Sequence, residues 1–436
     1  MRLLIESMAY GPDAIARADD GRAVFVRGGV PGDVVEATVT QQGASFCRAR
    51  VDEVVEPSPD RVEVPCPYAG VCGGCPWAHL RYTAQLEQKR KGVVDALTRI
   101  GHLDVQRTEE LVEPCVDLKR PWGYRNKVEL ACTVSGNRTT CGMHGLDGGV
   151  IRVDSCALLD SKSDKLVKSV SGALGYLAGA HGLSYERIGI RSSRRTRDLE
   201  VAIWTEPGPF PRGQAAKVLR DATNATSIVR AITKGPRKAR YVSAVERLGG
   251  DGSWSEKVGD ELMRFSAPSF FQVNTRGAER LVSLVLEGLN PYPEEYAMDL
   301  YCGAGTFTLP LARRCEAVSA VESASRSLRD LRRNLEHANL TNVDVIGGDA
   351  AREFPDDEAD LIVVDPPRAG LAEDVVQKLS AQPARAIAYV SCDPATLARD
   401  LARFEELGVF SPERITPVDL FPQTFHVETV TILTRG

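Results

Sequence analysis

Five short apolar runs, separated by helical stretches, follow one another after residue 265 and constrain the fold more than any other feature of the sequence. They comprise residues 297–300, 317–321, 343–346, 361–364 and 386–390. Runs that are apolar throughout, rather than alternating, suit parallel strands buried on both faces of a sheet that helices cover. The sequence therefore predicts an α/β domain over residues 266–436, with ligands bound at the carboxyl ends of its strands.

The preceding 265 residues have a different pattern. Residues 1–57 combine short β-branched runs with Gly and Pro turn signals, which predicts a small all-β module. Residues 58–265 contain a cysteine-rich stretch followed by mixed strand and helix, which predicts a central α+β domain. A helical pattern over about residues 80–100 could belong to this central domain or pack on the C-terminal one.

Composition narrows the classes of function. The 436 residues are 43% hydrophobic and 26% charged, no apolar run approaches the roughly 20 residues of a membrane helix, and the first residues lack a secretory signal. We therefore expect a cytoplasmic protein without a membrane partner. A net charge of −5 argues against a general nucleic-acid binder, but an RNA enzyme could confine its basic residues to one face. Two segments could supply that face, namely Arg187, Arg191, Arg194, Arg195 and Arg197, and Lys234, Arg237, Lys238 and Arg240. Solvated surface loops are the alternative interpretation of both.

A glycine turn follows the first of the five predicted strands. Residues 299–309 read Asp-Leu-Tyr-Cys-Gly-Ala-Gly-Thr-Phe-Thr-Leu, and glycines there let the backbone approach a ligand closely. A dinucleotide fingerprint is excluded, because Thr308 stands where its third glycine would be. Glu322 and Asp349 end the next two strands, where carboxylates could accept hydrogen bonds from ribose hydroxyls and face an adenine edge. This set resembles the class I S-adenosylmethionine methyltransferases, which have a Rossmann-like α/β fold.

Cys392 follows the fifth apolar run, at the same predicted edge as the glycine turn. Attack of a thiolate on carbon 6 of uracil makes carbon 5 nucleophilic enough to accept a methyl group, and cysteine needs only modest activation for this. The proton on carbon 5 must then leave, which requires a positioned base. Glu428 is the candidate base and His426 its rival. A buried, inert thiol is the alternative interpretation of Cys392.

Five patterns together resemble the RNA 5-methyluridine methyltransferase family. They are Phe270-Phe271-Gln272-Val273-Asn274, the turn at residues 299–309, Asp365-Pro366-Pro367-Arg368, Ser391-Cys392-Asp393-Pro394-Ala395-Thr396 and His426-Val427-Glu428-Thr429. The resemblance implies that Cys392 is the nucleophile, that Glu428 removes the proton, and that the target base is flipped out of the RNA stack. Either Phe270 or Phe271 could then stack on bases. It also implies contacts to S-adenosyl-L-methionine from Gln272, Tyr301, Thr306, Glu322, Asp349 and Asp365.

Three closely spaced cysteines, Cys66, Cys72 and Cys75, lie among Gly and Pro residues. With a distant fourth ligand they would suit an iron–sulfur cluster or a zinc ion. The candidates for that fourth ligand are Cys115, Cys132, Cys141 and Cys156. In the family a motif resembling residues 154–159 supplies it and the group is a [4Fe–4S] cluster. The resemblance therefore implies Cys66, Cys72, Cys75 and Cys156 as the ligands.

The amino-terminal module resembles the TRAM domain, an OB-like β-barrel of RNA-modifying enzymes. The whole chain is thus expected to be an S-adenosylmethionine-dependent RNA (uracil-5-)-methyltransferase with no obligate protein partner. Ribosomal RNA is the favoured substrate, because family members with both the barrel and the cysteines commonly act on large-subunit RNA, and transfer RNA is the alternative. Two other classes stay open: a non-catalytic RNA-binding or ribosome-assembly factor, and a cluster-bearing radical enzyme.

Overall fold

The computed structural model describes residues 1–135, 138–160 and 163–436. Three larger sheets organise these residues: an N-terminal barrel, a central mixed sheet and a C-terminal, mainly parallel sheet. Each has its own apolar core, and the segments between the sheets join the three cores. None of the helices in these ranges combines the length and the apolar character needed to cross a membrane.

The N-terminal strands close into a barrel, in the order β1-β2-β3-β5-β4. They are β1 (Arg2–Met8), β2 (Asp13–Arg17), β3 (Ala23–Arg27), β4 (Val34–Gln42) and β5 (Phe46–Glu56). Alternate side chains of β1 and β3 are buried, because successive residues of a strand face opposite sides of the sheet. Small and β-branched side chains, such as Ala14, Val24 and Val26, fill the interior. The small all-β module is therefore a closed barrel, as an OB-like architecture requires.

A cysteine-rich stretch leads from the barrel to the helices α1 (Tyr82–Arg99) and α2 (Val105–Leu111). Arg61 anchors this stretch on the barrel, because its Nε donates a hydrogen bond of 3.1 Å to the fully buried Asp33 carboxylate. Helix α1 then leaves the barrel and packs on the C-terminal sheet. The side chains that it buries in that core are Val93, Val94 and Leu97.

The central sheet has the strand order β12-β11-β10-β9-β6-β7-β8, with two helices packed on it. Its elements are β6 (Lys127–Ser135), β7 (Arg138–His144), β8 (Val150–Ile151), α3 (Leu166–His181), β9 (Arg187–Ser192), β10 (Leu199–Thr205), α4 (Arg212–Thr223), β11 (Ser227–Lys234) and β12 (Tyr241–Gly250). A short 3₁₀ helix (Arg237–Ala239) precedes β12, and the hairpin β13 (Trp254–Val258) and β14 (Glu261–Phe265) follows it. The central region therefore has the predicted α+β architecture. Its strand order could not be predicted from sequence patterns.

The C-terminal sheet has the order β17-β16-β15-β18-β19-β21-β20. Its elements are α5 (Thr275–Leu289), β15 (Tyr296–Leu300), α6 (Thr308–Ala312), β16 (Ala317–Glu322), α7 (Ser325–His337), β17 (Val343–Gly347), β18 (Leu361–Val364), α8 (Glu373–Ala381), β19 (Ala386–Ser391), α9 (Pro394–Leu407), β20 (Phe410–Val418) and β21 (Glu428–Arg435). Strands β15 to β19 are parallel, and they coincide with the five apolar runs. Among the described strands of this sheet, β21 alone runs in the opposite direction, since it pairs antiparallel with both of its neighbours, β19 and β20.

Helices cover both faces of the C-terminal sheet. On one face α1, α8 and α9 pack against Met298, Ile362 and other side chains of the central strands. On the other face α5 and α6 pack against the alternate positions, including Ala297 and Val363. Because neighbouring positions in each strand are buried on opposite faces, the strands are apolar throughout, as their sequence indicates.

The loop between β20 and β21 joins the cysteine-rich stretch and α1 to the C-terminal sheet. Gln423 in this loop exchanges hydrogen bonds with Gln85 of α1, at 2.9 and 3.0 Å, and its carbonyl accepts from the Trp77 N–H at 3.0 Å. Lys89 of α1 forms an ion pair with Asp419, and both side chains are fully buried. The loop is thus held by side chains that lie more than 300 residues earlier in the chain.

We predict that Lys89→Met lowers the free energy of unfolding by about 3–5 kcal/mol, because the buried Asp419 carboxylate would lose its partner. The matched control is Lys217→Met, which removes an exposed pair with Asp221 and should cost less than about 1 kcal/mol. Denaturant unfolding followed by tryptophan fluorescence measures both. Equal shifts of the two midpoints would contradict the structural role given to Lys89.

Candidate active site

The carboxyl ends of the parallel strands bring three of the acidic side chains together. Asp299 near the end of β15 is fully buried, and its Oδ2 accepts a hydrogen bond of 2.6 Å from the Thr308 hydroxyl. Burial, followed by the nearby charges of Asp365 and Glu322, raises the pKa of Asp299 to about 7, against the hydrogen bond from Thr308, which lowers it. Its Oδ1 has no hydrogen-bond partner among the described residues. Asp299 is therefore a buried carboxyl group beneath the carboxyl edge of the sheet.

The glycine turn between β15 and α6 has the left-handed conformations that its sequence predicts. Tyr301, Gly303 and Gly305 have φ angles of 65°, 59° and 100°. A side chain at Gly305 would also bring its Cβ within 2.5 Å of the Leu309 Cδ1, so that position requires glycine. The Gly303 N–H donates to Glu322 at 2.9 Å, which fixes this carboxylate against the turn.

Three further residues are predicted to bind the cofactor. Asp349 and Thr306 belong to the strand ends and the glycine turn, whereas Gln272 comes from an earlier part of the chain. Asp349 follows β17, and after burial its charge is the largest cause that raises the pKa of Tyr301 to about 12. Thr306 is half-buried within the turn. Gln272 lies between β14 and α5, 7% exposed, and its Oε1 has no partner in the described part of the chain. The residues present therefore offer buried acceptors and close backbone approach, which fit a nucleoside with ribose hydroxyls.

Cys392 and Glu428 lie beside each other because of the strand register. In the antiparallel pairing of β19 with β21, Ser391 is opposite Thr429. The next position along β19 is Cys392, and the next position back along β21 is Glu428. Asp393 then caps α9, since its carboxylate accepts a hydrogen bond of 2.9 Å from the Ala395 N–H. The cysteine thus lies in a tight strand-to-helix turn at the same edge as the glycine turn.

The pKa values of Cys392 and Glu428 depend on burial and on the charges of neighbouring side chains. Burial raises the pKa of the Cys392 thiol to about 11, with a further rise from Glu428, whereas Arg368 lowers it. Burial also holds the pKa of Glu428 well above its usual range, Asp365 adds to this, and Arg368 opposes it. Burial alone raises the pKa of Asp365 to about 7. Burial therefore favours the protonated forms of the Cys392 thiol and of the Glu428 carboxyl group.

His426, the rival base, is tied to an arginine. Its Nδ1 lies 2.9 Å from Arg368 Nη2, and its ring packs on Phe425 with centroids 4.1 Å apart. Burial lowers the pKa of His426 to about 4, and Arg368 contributes to this. The imidazole is therefore neutral, and the nitrogen that faces Arg368 is engaged as an acceptor.

The four cysteines of the predicted cluster line one cavity of about 320 Å³. Cys66, Cys72 and Cys75 come from the stretch after the barrel, and Cys156 from the loop after β8. Burial raises the pKa of Cys75 to about 12, and Cys156 adds to this rise. Cys115, by contrast, is buried beside Asp419 and Lys89, away from this cavity.

A single metal ion does not fit these thiols. In the part of the chain that the structure describes, no three His, Cys, Asp or Glu side chains converge closely enough to hold one ion. Zinc requires four ligands within about 2.0–2.3 Å of a common centre. A polynuclear cluster binds each thiolate through a different iron, so its cysteines surround a cavity rather than meet at one point. The four thiols that line the cavity are the donors that an iron–sulfur cluster binds.

A short segment that the sequence did not single out connects the two sites. Arg125 is half-buried and lines the cysteine cavity, and its pKa is raised because Tyr124, Cys156 and Cys75 outweigh the lowering by burial. Its N–H donates to the Leu158 carbonyl at 2.8 Å. The next residue, Asn126, donates through Nδ2 to the Gln272 carbonyl at 2.9 Å. No motif marks this segment, so its position becomes apparent only from the tertiary contacts.

The two basic segments mostly bind the protein's own acceptors. Arg191 is only 3% exposed and donates to the Ser266 and Ser269 carbonyls, so its assignment to an RNA-facing surface is wrong. Ion pairs with nearby carboxylates hold Arg187, Arg194, Arg195 and Arg240. The side chain of Arg237 lies outside the described residues. Burial and local pairing therefore explain most of these charges.

Comparisons with known proteins agree with this architecture. The family model described as tRNA (Uracil-5-)-methyltransferase matches residues 255–360 and 354–436, and the TRAM domain model matches residues 1–51. An uncharacterized RNA methyltransferase of Gloeobacter violaceus is 36% identical, over 99% of this chain and 96% of its own length. One from Halalkalibacterium halodurans is 32% identical, over 99% of this chain and 96% of its own.

A solved structure is similar along the whole chain. The crystal structure of Pyrococcus abyssi tRNA (uracil-54, C5)-methyltransferase in complex with S-adenosyl-L-homocysteine has a TM-score of 0.77 and 26% identity, and covers 100% of this chain and 99% of its own. The predicted methyltransferase fold with an N-terminal TRAM domain is thus confirmed. The chain belongs to the S-adenosylmethionine-dependent RNA (uracil-5-)-methyltransferase family.

Proposed function

We propose that this enzyme methylates carbon 5 of a uridine in RNA through a covalent adduct with Cys392, and that Glu428 removes the carbon 5 proton. The single observation that carries the proposal is the β19–β21 register, which sets Cys392 beside Glu428 at the edge that holds the glycine turn. A retired site in an RNA-binding or assembly factor would have no use for this pair. S-adenosyl-L-methionine, when bound, supplies the electrophilic methyl group.

The side chains divide the chemistry as follows. The Cys392 thiolate adds to carbon 6, and carbon 5 becomes an enolate-like nucleophile that takes the methyl group. Glu428 accepts the proton from carbon 5, and the carbon 6–sulfur bond then breaks, which returns the thiolate. Arg368 lowers the pKa of both groups and so favours the ionised forms that these steps need.

Bound cofactor would change the protonation of the site. Asp365, Cys392 and Glu428 all have raised pKa values in the unliganded site. An opposite charge within a few ångströms favours the ionised form of an acid, and the sulfonium of the cofactor is a cation. We infer that Gln272, Tyr301, Thr306, Glu322, Asp349 and Asp365 hold the cofactor. Cofactor binding would then prepare the nucleophile and the base.

The two candidate phenylalanines differ in exposure. Phe270 is 67% exposed, whereas Phe271 is 4% exposed and packs on Phe265 with ring centroids 4.5 Å apart. An exposed aromatic ring, such as that of Phe270 two residues before Gln272, can stack on an unpaired base. We therefore assign base stacking to Phe270 and core packing to Phe271.

We infer that the chain has three functional units, residues 1–57, 58–265 and 266–436, and that it acts on cytoplasmic RNA. Helix α1 packs with the third unit although it lies in the second. Ribosomal RNA remains the first substrate to test. Transfer RNA is the second, because the similar structure from Pyrococcus abyssi is that of a tRNA (uracil-54, C5)-methyltransferase. Mapping 5-methyluridine in both RNAs, from cells with and without the gene, distinguishes them.

We predict that Cys392→Ala abolishes methylation, whereas Glu428→Gln slows turnover about 10²- to 10⁴-fold, the usual contribution of a positioned base. Because Glu428→Gln would still form the adduct, it should accumulate an RNA–protein complex that resists denaturing electrophoresis. 5-Methyluridine is measured by mass spectrometry of nucleosides from RNA treated with each variant.

The double variant Cys392→Ala/Glu428→Gln is the matched control, and it should form no resistant complex. Undiminished methylation by Cys392→Ala would rule out the covalent mechanism. A complex that persists in the double variant would mean that another nucleophile attacks the base.

We predict that iodoacetamide alkylates Cys392 about ten times faster for each unit of pH between 7 and 10, because the thiol has a pKa of about 11 and only the thiolate reacts. Arg368→Gln should slow the reaction at each pH, since this arginine lowers the pKa. Peptide mapping measures the rate, with Cys392→Ser to identify the peptide. A rate that is constant over this range would show that the thiol is already ionised.

We also propose that Cys66, Cys72, Cys75 and Cys156 bind a [4Fe–4S] cluster. The four thiols around one shared cavity support this assignment. When present, the cluster would supply a rigid core that joins the stretch after the barrel to the loop after β8. Methyl transfer through a cysteine adduct consumes no electrons, so we expect a structural or RNA-positioning role. Arg125, which lines the cavity, would balance part of the negative charge.

We predict that Cys156→Ser, purified anaerobically, loses iron, labile sulfide and the visible absorbance of the cluster, whereas Cys115→Ser retains all three. Cys115 is the matched control because it is also buried but lies outside the cavity. Stoichiometric zinc in the wild-type protein would contradict the assignment. A cluster that survives with three cysteines would instead favour radical chemistry.

A further inference from the structure

The loop between β1 and β2 extends from the barrel to the catalytic domain and carries Tyr10. The Tyr10 ring meets the Phe425 ring edge to face, with centroids 5.8 Å apart at 85°. It also lies over α1, where a Cβ added at Gly92 would be 3.6 Å from Tyr10 Cδ2. The Trp77 Nε1–H donates to the Gly11 carbonyl at 3.0 Å. The loop is therefore fixed by three separate parts of the chain.

The same contacts continue to the reacting groups. Phe425 packs both on the barrel core and on His426, which contacts Arg368. Burial raises the pKa of Tyr10 above its usual range, Asp393 adds to this, and Cys392 and Glu428 contribute as well. The phenol therefore stays neutral at physiological pH and lies within electrostatic range of the nucleophile. Tyr10 as a whole is 40% exposed, although its ring contacts Phe425 and α1.

We propose that Tyr10 is a positioning residue that forms one wall of the pocket for the flipped uridine, with its ring packed against the nucleotide. The barrel would thus complete the active site, in addition to any contacts that it makes with RNA outside that site. A flipped base loses its stacking partners, and an aromatic wall replaces part of that contact. This inference rests on the function proposed above.

The ring, rather than the hydroxyl, carries the expected effect. Tyr10→Ala should lower kcat/KM for RNA about 10- to 100-fold, the range for loss of one stacked aromatic, whereas Tyr10→Phe should stay within about twofold of wild type. Affinity for S-adenosyl-L-homocysteine should be unchanged in both, and Tyr10→Phe, which keeps the ring contacts, should also leave the thermal midpoint unchanged. Tyr176→Ala is the control, because Tyr176 is 60% exposed on α3 and should leave every value unchanged. The assay uses full-length enzyme with ribosomal and transfer RNA from cells that lack the gene.

A second measurement does not depend on methylation. RNA transcripts that contain 5-bromouridine are irradiated with the enzyme, and a cross-link is expected on the tryptic peptide of residues 3–17, whose single aromatic residue is Tyr10. The cross-link should disappear in Tyr10→Ala. An unchanged kcat/KM for Tyr10→Ala, or no cross-link on this peptide, would overturn the inference. Failure of the proposed function would give a different result, because the wild-type enzyme would then form no 5-methyluridine.

Discussion

The site depends on one strand that runs against its neighbours. In a wholly parallel sheet, every strand begins at the edge opposite the ligand and ends beside it. Because β21 is antiparallel to β19, its first residue lies at the edge where β19 ends. Cys392 therefore meets Glu428 without any long excursion of the chain. The same reversal buries Glu428, and this burial gives the carboxyl its raised pKa.

The loop that precedes β21 is where the parts of the molecule meet. Lys89 and Gln85 of α1 bind it, the Trp77 N–H donates to it, and Phe425 packs on the barrel. These contacts come from segments that are distant in sequence, yet all of them are made to the stretch between Asp419 and Phe425, which directly precedes Glu428. Contacts from the barrel, the cysteine-rich stretch and the catalytic sheet thus fix the position of the Glu428 carboxyl group together.

The local sequence pattern was enough to predict the strands that are buried on both faces of their sheet. Contiguous apolar runs predicted β15 to β19, and the polar residues after them marked the ligand edge. Long-range pairing was not accessible in this way. The register of β19 with β21, the burial of Arg191 under backbone carbonyls and the place of Arg125 beside the cysteine cavity all depend on partners far along the chain. Such contacts leave no periodic pattern in a single sequence, so they could not be predicted from it.

Residues 125 and 126 are bound on both sides by backbone hydrogen bonds. One partner is Leu158, two residues after Cys156, and the other is Val273, next to Gln272. Two adjacent residues and two backbone hydrogen bonds therefore link the Cys156 loop to the loop that carries Gln272. If the four thiols hold the cluster proposed above, loss of that cluster would release the Cys156 loop, and the displacement would reach Gln272 through this segment.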